Sequence, residues 1–348
     1  MRGSIGRALV LAMSFTVAGS TMAAAAPPAT PSQASAADAS RSVPSTDAAP
    51  AARSSAVRWL HVYPGQDSAA ADLAPAPGGG VYVLTTLQPG FRVTVRRIAA
   101  DGTTVWTRRV ATGAGAEGLG QGLASDATGY YVAWEDDTHN ATPDGLTLSV
   151  RRYDLAGHAV WTAHWGTDLL FAGIAVSNGT VVAMYGEPQG TDRLAAPRVR
   201  EIDASSGHLG PDWAVADESG AVAVDGDAIY TVTGVARAQG GADILLARWK
   251  LDGSPVWRRT ITVGKRDLRV SGIALDPQGV TVGYWYFDAQ NREVPFVQRD
   301  TRAGRKVWGH SLPSDGSPSG IAADATASTR PGTHGRGPST GSRSTCAR

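Results

Sequence analysis

The sequence predicts an all-β protein, a β-propeller of four-stranded meander blades with about five complete blades and an incomplete sixth. Three observations predict it. A tryptophan recurs, in most copies just after a polar turn and a glycine, at Trp59, Trp106, Trp161, Trp213, Trp257 and Trp308, with separations of 47, 55, 52, 44 and 51 residues. A second marker keeps the same period: small apolar strands centred on Leu73, Leu123, Ile174, Val222, Ile273 and Ile321 are 50, 51, 48, 51 and 48 residues apart. Within one period, residues 272–312 divide at turn residues into "GIALD", "VTVGYWY", "PFVQRD" and "KVWGHSL", short pieces rich in β-branched and aromatic types.

From the N-terminus, Arg2 and Arg7 precede an apolar run from Ala8 to Val17 and small residues from Ala23 to Ala26, so residues 1–26 read as a secretory signal peptide. The run is shorter than the roughly 20 apolar residues of a membrane span, and no membrane insertion is expected after cleavage. Residues 27–56 hold Pro, Ala, Ser and Asp with one valine as their only large apolar residue, and read as a disordered linker. The propeller repeats occupy 57–324. Residues 325–348 contain no valine, leucine, isoleucine or aromatic residue, and two readings stay open for them: a disordered native tail, or the product of a truncation or shifted reading frame. Cys346 is the single cysteine, so the expected secreted chain has no intrachain disulfide and is held by packing.

A four-stranded sheet of this size leaves apolar faces, which stacked copies around an axis bury against one another. The recurring tryptophans then have a structural use on the outermost strands, where each buries on the order of 200 Å² against the next blade. Asp126, Asp276 and Asp324 follow the first strand of a repeat and precede turns, which Asx-turn hydrogen bonding explains. The frequent glycines, 42 in all, also favour short strands over long helices.

The stretch "GIALDPQGVTVGYWY" followed by "FVQRDTRAGRKVW" resembles the repeats of the β-propeller family called SBBP repeats. It is also similar to the broader quinoprotein-like (PQQ-like) propellers, whose blades end in a glycine-to-tryptophan docking element. The resemblance covers roughly residues 57–324 and bears on fold more than on function. It implies blade-docking roles for Trp59, Trp106, Trp161, Trp213, Trp257 and Trp308. The quinoprotein relatives would imply pyrroloquinoline quinone, calcium, an aspartate base and in several members adjacent cysteines. The body of this chain has no cysteine and no recognisable cluster of calcium-ligating carboxylates, and no cofactor is expected.

Residues 1–324 carry 28 basic and 31 acidic groups and no run of five like charges, which argues against nucleic acid as a partner. The seven histidines form no zinc spacing, and neither a GxSxG elbow nor a GxxxxGK[ST] loop occurs. The glycine-rich "GAGAEGLGQG" at 113–122 reads as a loop between two strands. Glu135, Asp136 and Asp137 are adjacent acids whose side chains alternate across a strand and so do not by themselves make a catalytic pair. The expected protein is therefore a secreted, monomeric, non-catalytic propeller that binds a protein or a surface carbohydrate. The alternative is an extracellular enzyme on the same frame, a quinoprotein-like dehydrogenase or a glycoside-processing hydrolase.

Overall fold

The computed structural model describes residues 10–13, 59–62 and 68–312, the last with gaps at 88–91, 111–116, 138–146, 167–168, 189–193, 216–219, 238–240, 266–267, 289 and 291. Strands β1 (Val10–Met13) and β2 (Trp59–Val62) form an antiparallel two-stranded sheet in which Met13 faces Trp59. The expected leader cleavage site, the linker and the tail lie outside the described residues.

Five four-stranded antiparallel sheets follow. Sheet one holds β3 (Ser68–Pro75), β4 (Val81–Leu87), β5 (Arg92–Ile98) and β6 (Thr104–Arg109). Sheet two holds β7 (Glu117–Asp126), β8 (Gly129–Asp137), β9 (Thr147–Asp154) and β10 (Ala159–Trp165). Sheet three holds β11 (Leu170–Ser177), β12 (Thr180–Pro188), β13 (Leu194–Asp203) and β14 (Leu209–Ala214). Sheet four holds β15 (Gly220–Asp225), β16 (Ala228–Ala236), β17 (Ala242–Lys250) and β18 (Pro255–Lys265), and sheet five holds β19 (Arg269–Asp276), β20 (Gly279–Phe287), β21 (Glu293–Thr301) and β22 (Lys306–Ser311). In each sheet, neighbours in space are neighbours in sequence.

The first strands β3, β7, β11, β15 and β19 touch one another in that succession, so they form an inner rim and the fourth strands lie outermost. This is a β-propeller-like arrangement of five blade-like sheets. The meander sends the first-to-second and third-to-fourth hairpins to one end of every sheet. The turns there are tight, as between Ser177 and Thr180 or between Asp276 and Gly279. Every gap among residues 68–312 falls in a connection belonging to the other end.

The middle strands are apolar on both faces because each face meets a different neighbour. On β16, Tyr230 and Val232 pack with Val280, Val282 and Tyr284 of sheet five, while Ile229 packs with Val182 and Met184 of sheet three and with Trp249. At the inner rim Gly122 allows two strands of neighbouring sheets to approach closely. A Cβ on Gly122 would lie 2.8 Å from Ile174 Cγ2 of the next sheet. The loop expected over 113–122 is accordingly corrected: from Glu117 onward this stretch is strand β7, with Gly122 serving the close approach to the next rim strand.

Between third and fourth strands the register slips at the residue before the tryptophan. Ile98 faces Thr104 and Arg97 faces Trp106, skipping Val105, and the same slip skips Val160, Val256 and Val307. These four valines are 51%, 48%, 45% and 52% exposed, so the bulge turns a valine outward and a tryptophan inward.

Candidate functional site

The junctions between sheets hold the recurring residues. Trp161 of sheet two lies against Gly207 in the β13–β14 turn of sheet three, where an added Cβ would come within 2.7 Å of the indole. Trp213 meets Gly253 of sheet four in the same way, at 2.6 Å, and Trp257 meets Gly304 of sheet five at 3.0 Å. Each glycine also has positive φ, at 76°, 80° and 76°, so its turn excludes a side chain twice over. The Trp161 Nε1–H donates to Ala204 O at 2.9 Å, and the Trp257 Nε1–H to Arg302 O at 3.2 Å, tying the indole to the same turn. The pattern is one indole passed from each outer strand to the next sheet's turn.

The first described junction departs from it. The place over Gly157 is taken by the Arg108 side chain, which donates to Ala156 O, while the Trp106 ring packs on Tyr82 of its own sheet and Tyr130 of the next, at 5.9 and 5.7 Å. Trp308 stacks with His310 at 5.4 Å. Trp59 contributes its backbone to β2, and its side chain lies outside the described residues.

Carboxylates tie the rim. Asp72 on β3 accepts from Leu123 N of β7 at 2.8 Å and from Leu73 N at 2.7 Å. Glu135 on β8 accepts from Phe171 N of β11 at 2.8 Å and from Gln121 Nε2 at 3.2 Å. In both cases a carboxylate caps an edge N–H that a first strand cannot offer to its own sheet. Burial pushes the Asp72 carboxyl up to about 6 despite these two donors, and burial likewise raises that of Glu135. A raised carboxyl favours the folded state when protonated. Stability from Asp72 is therefore gained as pH falls from above 6 towards 4 and lost as pH rises through the same window. Asp72→Asn is expected to flatten the stability profile between pH 7.5 and 4.5 by about 2 kcal/mol, as read by urea unfolding at the two pH values. An unchanged slope would show that Asp72 is not the titrating group.

The last described junction is held by ions. Asp300 on β21 is fully buried and pairs with Arg259 of the preceding sheet, whose guanidinium also donates to Gly304 O at 3.0 Å. Its second oxygen accepts from Gln298 Nε2 at 2.9 Å. Beside it Arg299 chelates Asp276 through both terminal nitrogens at 2.5 Å and donates to Thr281 Oγ1 at 2.9 Å. Arg302 donates to Asp276 O and pairs with Asp225 of sheet four at 2.7 Å.

The residues singled out from sequence are brought to these junctions and turns, not to one cleft. Asp126 Oδ1 accepts from Thr128 N and Gly129 N, and Asp276 Oδ1 from Gln278 N and Gly279 N, closing Asx turns. His158 lies in a turn, bonded to Asp154, and His208 N donates to Ser206 Oγ in the β13–β14 turn. Glu135 is buried at the rim, and the side chains of Asp136 and Asp137 lie outside the described residues. Among the described residues, no group of three His, Cys, Asp or Glu could hold a metal ion, and no helix is long and apolar enough to cross a membrane. Sequence reasoning missed Asp72, Arg259 and Asp300. The signal for Asp300 was its column: the equivalent register positions hold Ile98, Tyr153, Ile202 and Trp249, all apolar in body.

No family model matches the chain, and no curated protein does. Among solved structures it is similar to Saccharomyces cerevisiae Sqt1, with 11% identity, TM-score 0.44, and 72% of this chain and 65% of that one covered. A subtype N10 neuraminidase-like protein of a bat influenza A virus shares 11% identity at TM-score 0.45, with 71% and 83% covered. A prolyl endopeptidase structure shares 12% identity at TM-score 0.44, with 72% of this chain but 36% of the endopeptidase covered. The chain thus spans under two thirds of Sqt1 and about a third of the endopeptidase.

Proposed function

We propose that the chain is a secreted, monomeric, non-catalytic β-propeller that binds a protein or a surface carbohydrate through the connections at one end of its sheets. Tryptophans on the outer strands dock one blade on the next and take no part in chemistry. The observation that carries this reading is how the buried acids are used. Asp72, Glu135, Asp276 and Asp300 all have both carboxylate oxygens engaged by backbone N–H groups, arginines or side-chain amides of the frame. Side chains on the rim strands are mostly small, among them Ala172, Ala175, Ala221, Ala223 and Ala274. Such a rim supplies packing and few groups able to attack or protonate a substrate.

The tight turns at one end follow a near-constant recipe of Asp, Ser or Thr, and Gly, whereas the connections at the other end vary in length and sequence. Residues 138–146, "THNATPDGL", form the longest of those within 68–312. Variable loops on a repeated frame are where recognition resides in such architectures.

An extracellular enzyme is the second reading, favoured by one observation: buried carboxyls with raised proton affinity, as at Asp72 and Glu135, are what acid catalysts display. One experiment separates the two. The chain and a variant with 138–146 replaced by a Gly-Ser linker are applied to an array of bacterial surface polysaccharides and to intact cell walls. Binding by the parent, its loss in the variant and an unchanged melting temperature are expected. Release of reducing sugar from the polysaccharides, or reduction of an artificial electron acceptor, would overturn the non-catalytic reading.

A further inference from the structure

The junction between sheets one and two gathers hydrogen-bond donors and gives them no acceptor. Tyr82, Arg97 and Trp106 stand in one register row on sheet one, and Tyr82 and Trp106 pack with Tyr130 and Tyr153 of sheet two. Tyr82 and Tyr130 are fully buried, with ring centroids 4.7 Å apart across the junction, and Tyr153 stacks on Tyr130 at 4.9 Å. Neither the Tyr82 nor the Tyr130 hydroxyl has a hydrogen-bond partner, and Arg97 Nε, also buried, has none. Burial raises both phenols above their usual range, so they remain O–H donors at neutral pH. The charge of Arg97 acts on Tyr82 and that of Arg108 on Tyr130, which places both guanidiniums beside the hydroxyls.

Elsewhere the frame answers such a phenol with a carboxylate. Tyr131 donates to Asp126 Oδ2 at 2.9 Å, and Tyr185 to Asp212 Oδ2 at 2.6 Å. At this junction the carboxylate that acts on Tyr130, Asp154, has both oxygens engaged by His158, one by its backbone N–H and one by its ring. The two guanidiniums bond neutral carbonyls, Arg97 Nη2 with Pro77 O at 3.1 Å and Arg108 with Ala156 O. Arg108 also stands over Gly157, where later junctions place an indole over the equivalent glycine, so this junction carries a cation that the others lack. We propose that it binds a small oxyanion, a phosphate, sulfate or carboxylate group, which accepts from the Tyr82 and Tyr130 hydroxyls and from Arg97 Nε, with the Arg108 charge beside it. A guanidinium N–H can only donate, so the guest must accept, and two cations without a carboxylate partner favour one that is negative. The site lies at the tight-turn end of the sheets and is independent of recognition by the variable connections.

The test is thermal unfolding of the full chain at neutral pH in inorganic phosphate and in chloride at equal ionic strength, with Tyr82→Phe, Tyr130→Phe and the double variant beside it. Phenylalanine keeps the ring packing and removes only the hydroxyl. Phosphate is expected to raise the melting temperature of the parent by about 2–4 °C, saturating with concentration. The rise is expected to shrink in each single variant and to vanish in the double one. Should the double variant fail to fold, Arg97→Met gives the same reading, because it removes the Nε–H and leaves both phenols. A parent that melts alike in the two salts overturns the proposal, whether the phenylalanine variants then melt higher, as for hydroxyls with no partner, or lower, as for hydroxyls joined by a water. A phosphate-induced rise that persists undiminished in the double variant, or in Arg97→Met, overturns it as well.

Discussion

Arg259→Ala is expected to destabilise the protein by about 3–5 kcal/mol, the largest effect of any single polar substitution at a sheet junction. Asp300 has no exposed side-chain surface, and the Arg259 guanidinium that faces it comes from the neighbouring sheet. Removing the cation leaves a charge inside the junction with only the Gln298 amide to hold it. It also removes the bond to Gly304 O, the turn against which Trp257 packs. The charge itself is dispensable in principle, since the equivalent position is isoleucine in sheets one and three. Arg259→Leu with Asp300→Ile should therefore recover most of the loss, in equilibrium urea unfolding monitored by tryptophan fluorescence. A double variant as unstable as Arg259→Ala would show that the pair, and not the uncompensated acid, is what the junction requires.

Trp161→Ala is expected to cost about 2–4 kcal/mol, below the full range for a buried tryptophan because this ring is only partly buried. Its indole covers Gly207, donates to Ala204 O and packs beside Tyr131, whose ring centroid is 6.0 Å away. The first two contacts hold sheet two to sheet three, and Tyr131 backs the ring from its own sheet, so the loss falls on the junction. Hydrogen exchange should quicken first in the β13–β14 turn and in β10. An effect confined to β10 alone would mean that the indole serves its own strand and not the junction.

The period of about 50 residues, the four strands per sheet and the outer position of the tryptophans were all legible in the sequence, because each is a repeated local pattern. In Trp257, the preceding turn and the glycine after Asp252 were enough to place it on a fourth strand. The partner of that strand was not legible. Gly304 lies 47 residues further on, and nothing local marks it as the floor under Trp257. The slip that exposes Val256 was hidden for a related reason: alternation alone would put Val256 and Trp257 on opposite faces, but cannot say which one faces the next sheet. The carboxylate ties were less accessible still. Asp72 sits in "AAADLAP" with no turn signal, and its role depends on Leu123 N of a different sheet. Tertiary neighbours decide these cases, and they are set by how sheets follow one another around the rim.

The central claim is that an indole and the glycine beneath it join consecutive sheets as one unit, and a double-mutant cycle on Trp161 and Gly207 tests it most directly. Gly207→Ala in the parent introduces both backbone strain at positive φ and a clash with the indole, whereas in the Trp161→Ala background only the strain remains. Urea unfolding of the four chains is predicted to give a coupling of about 1 kcal/mol or more, the glycine substitution costing less once the tryptophan is gone. Strict additivity of the two substitutions would contradict the account.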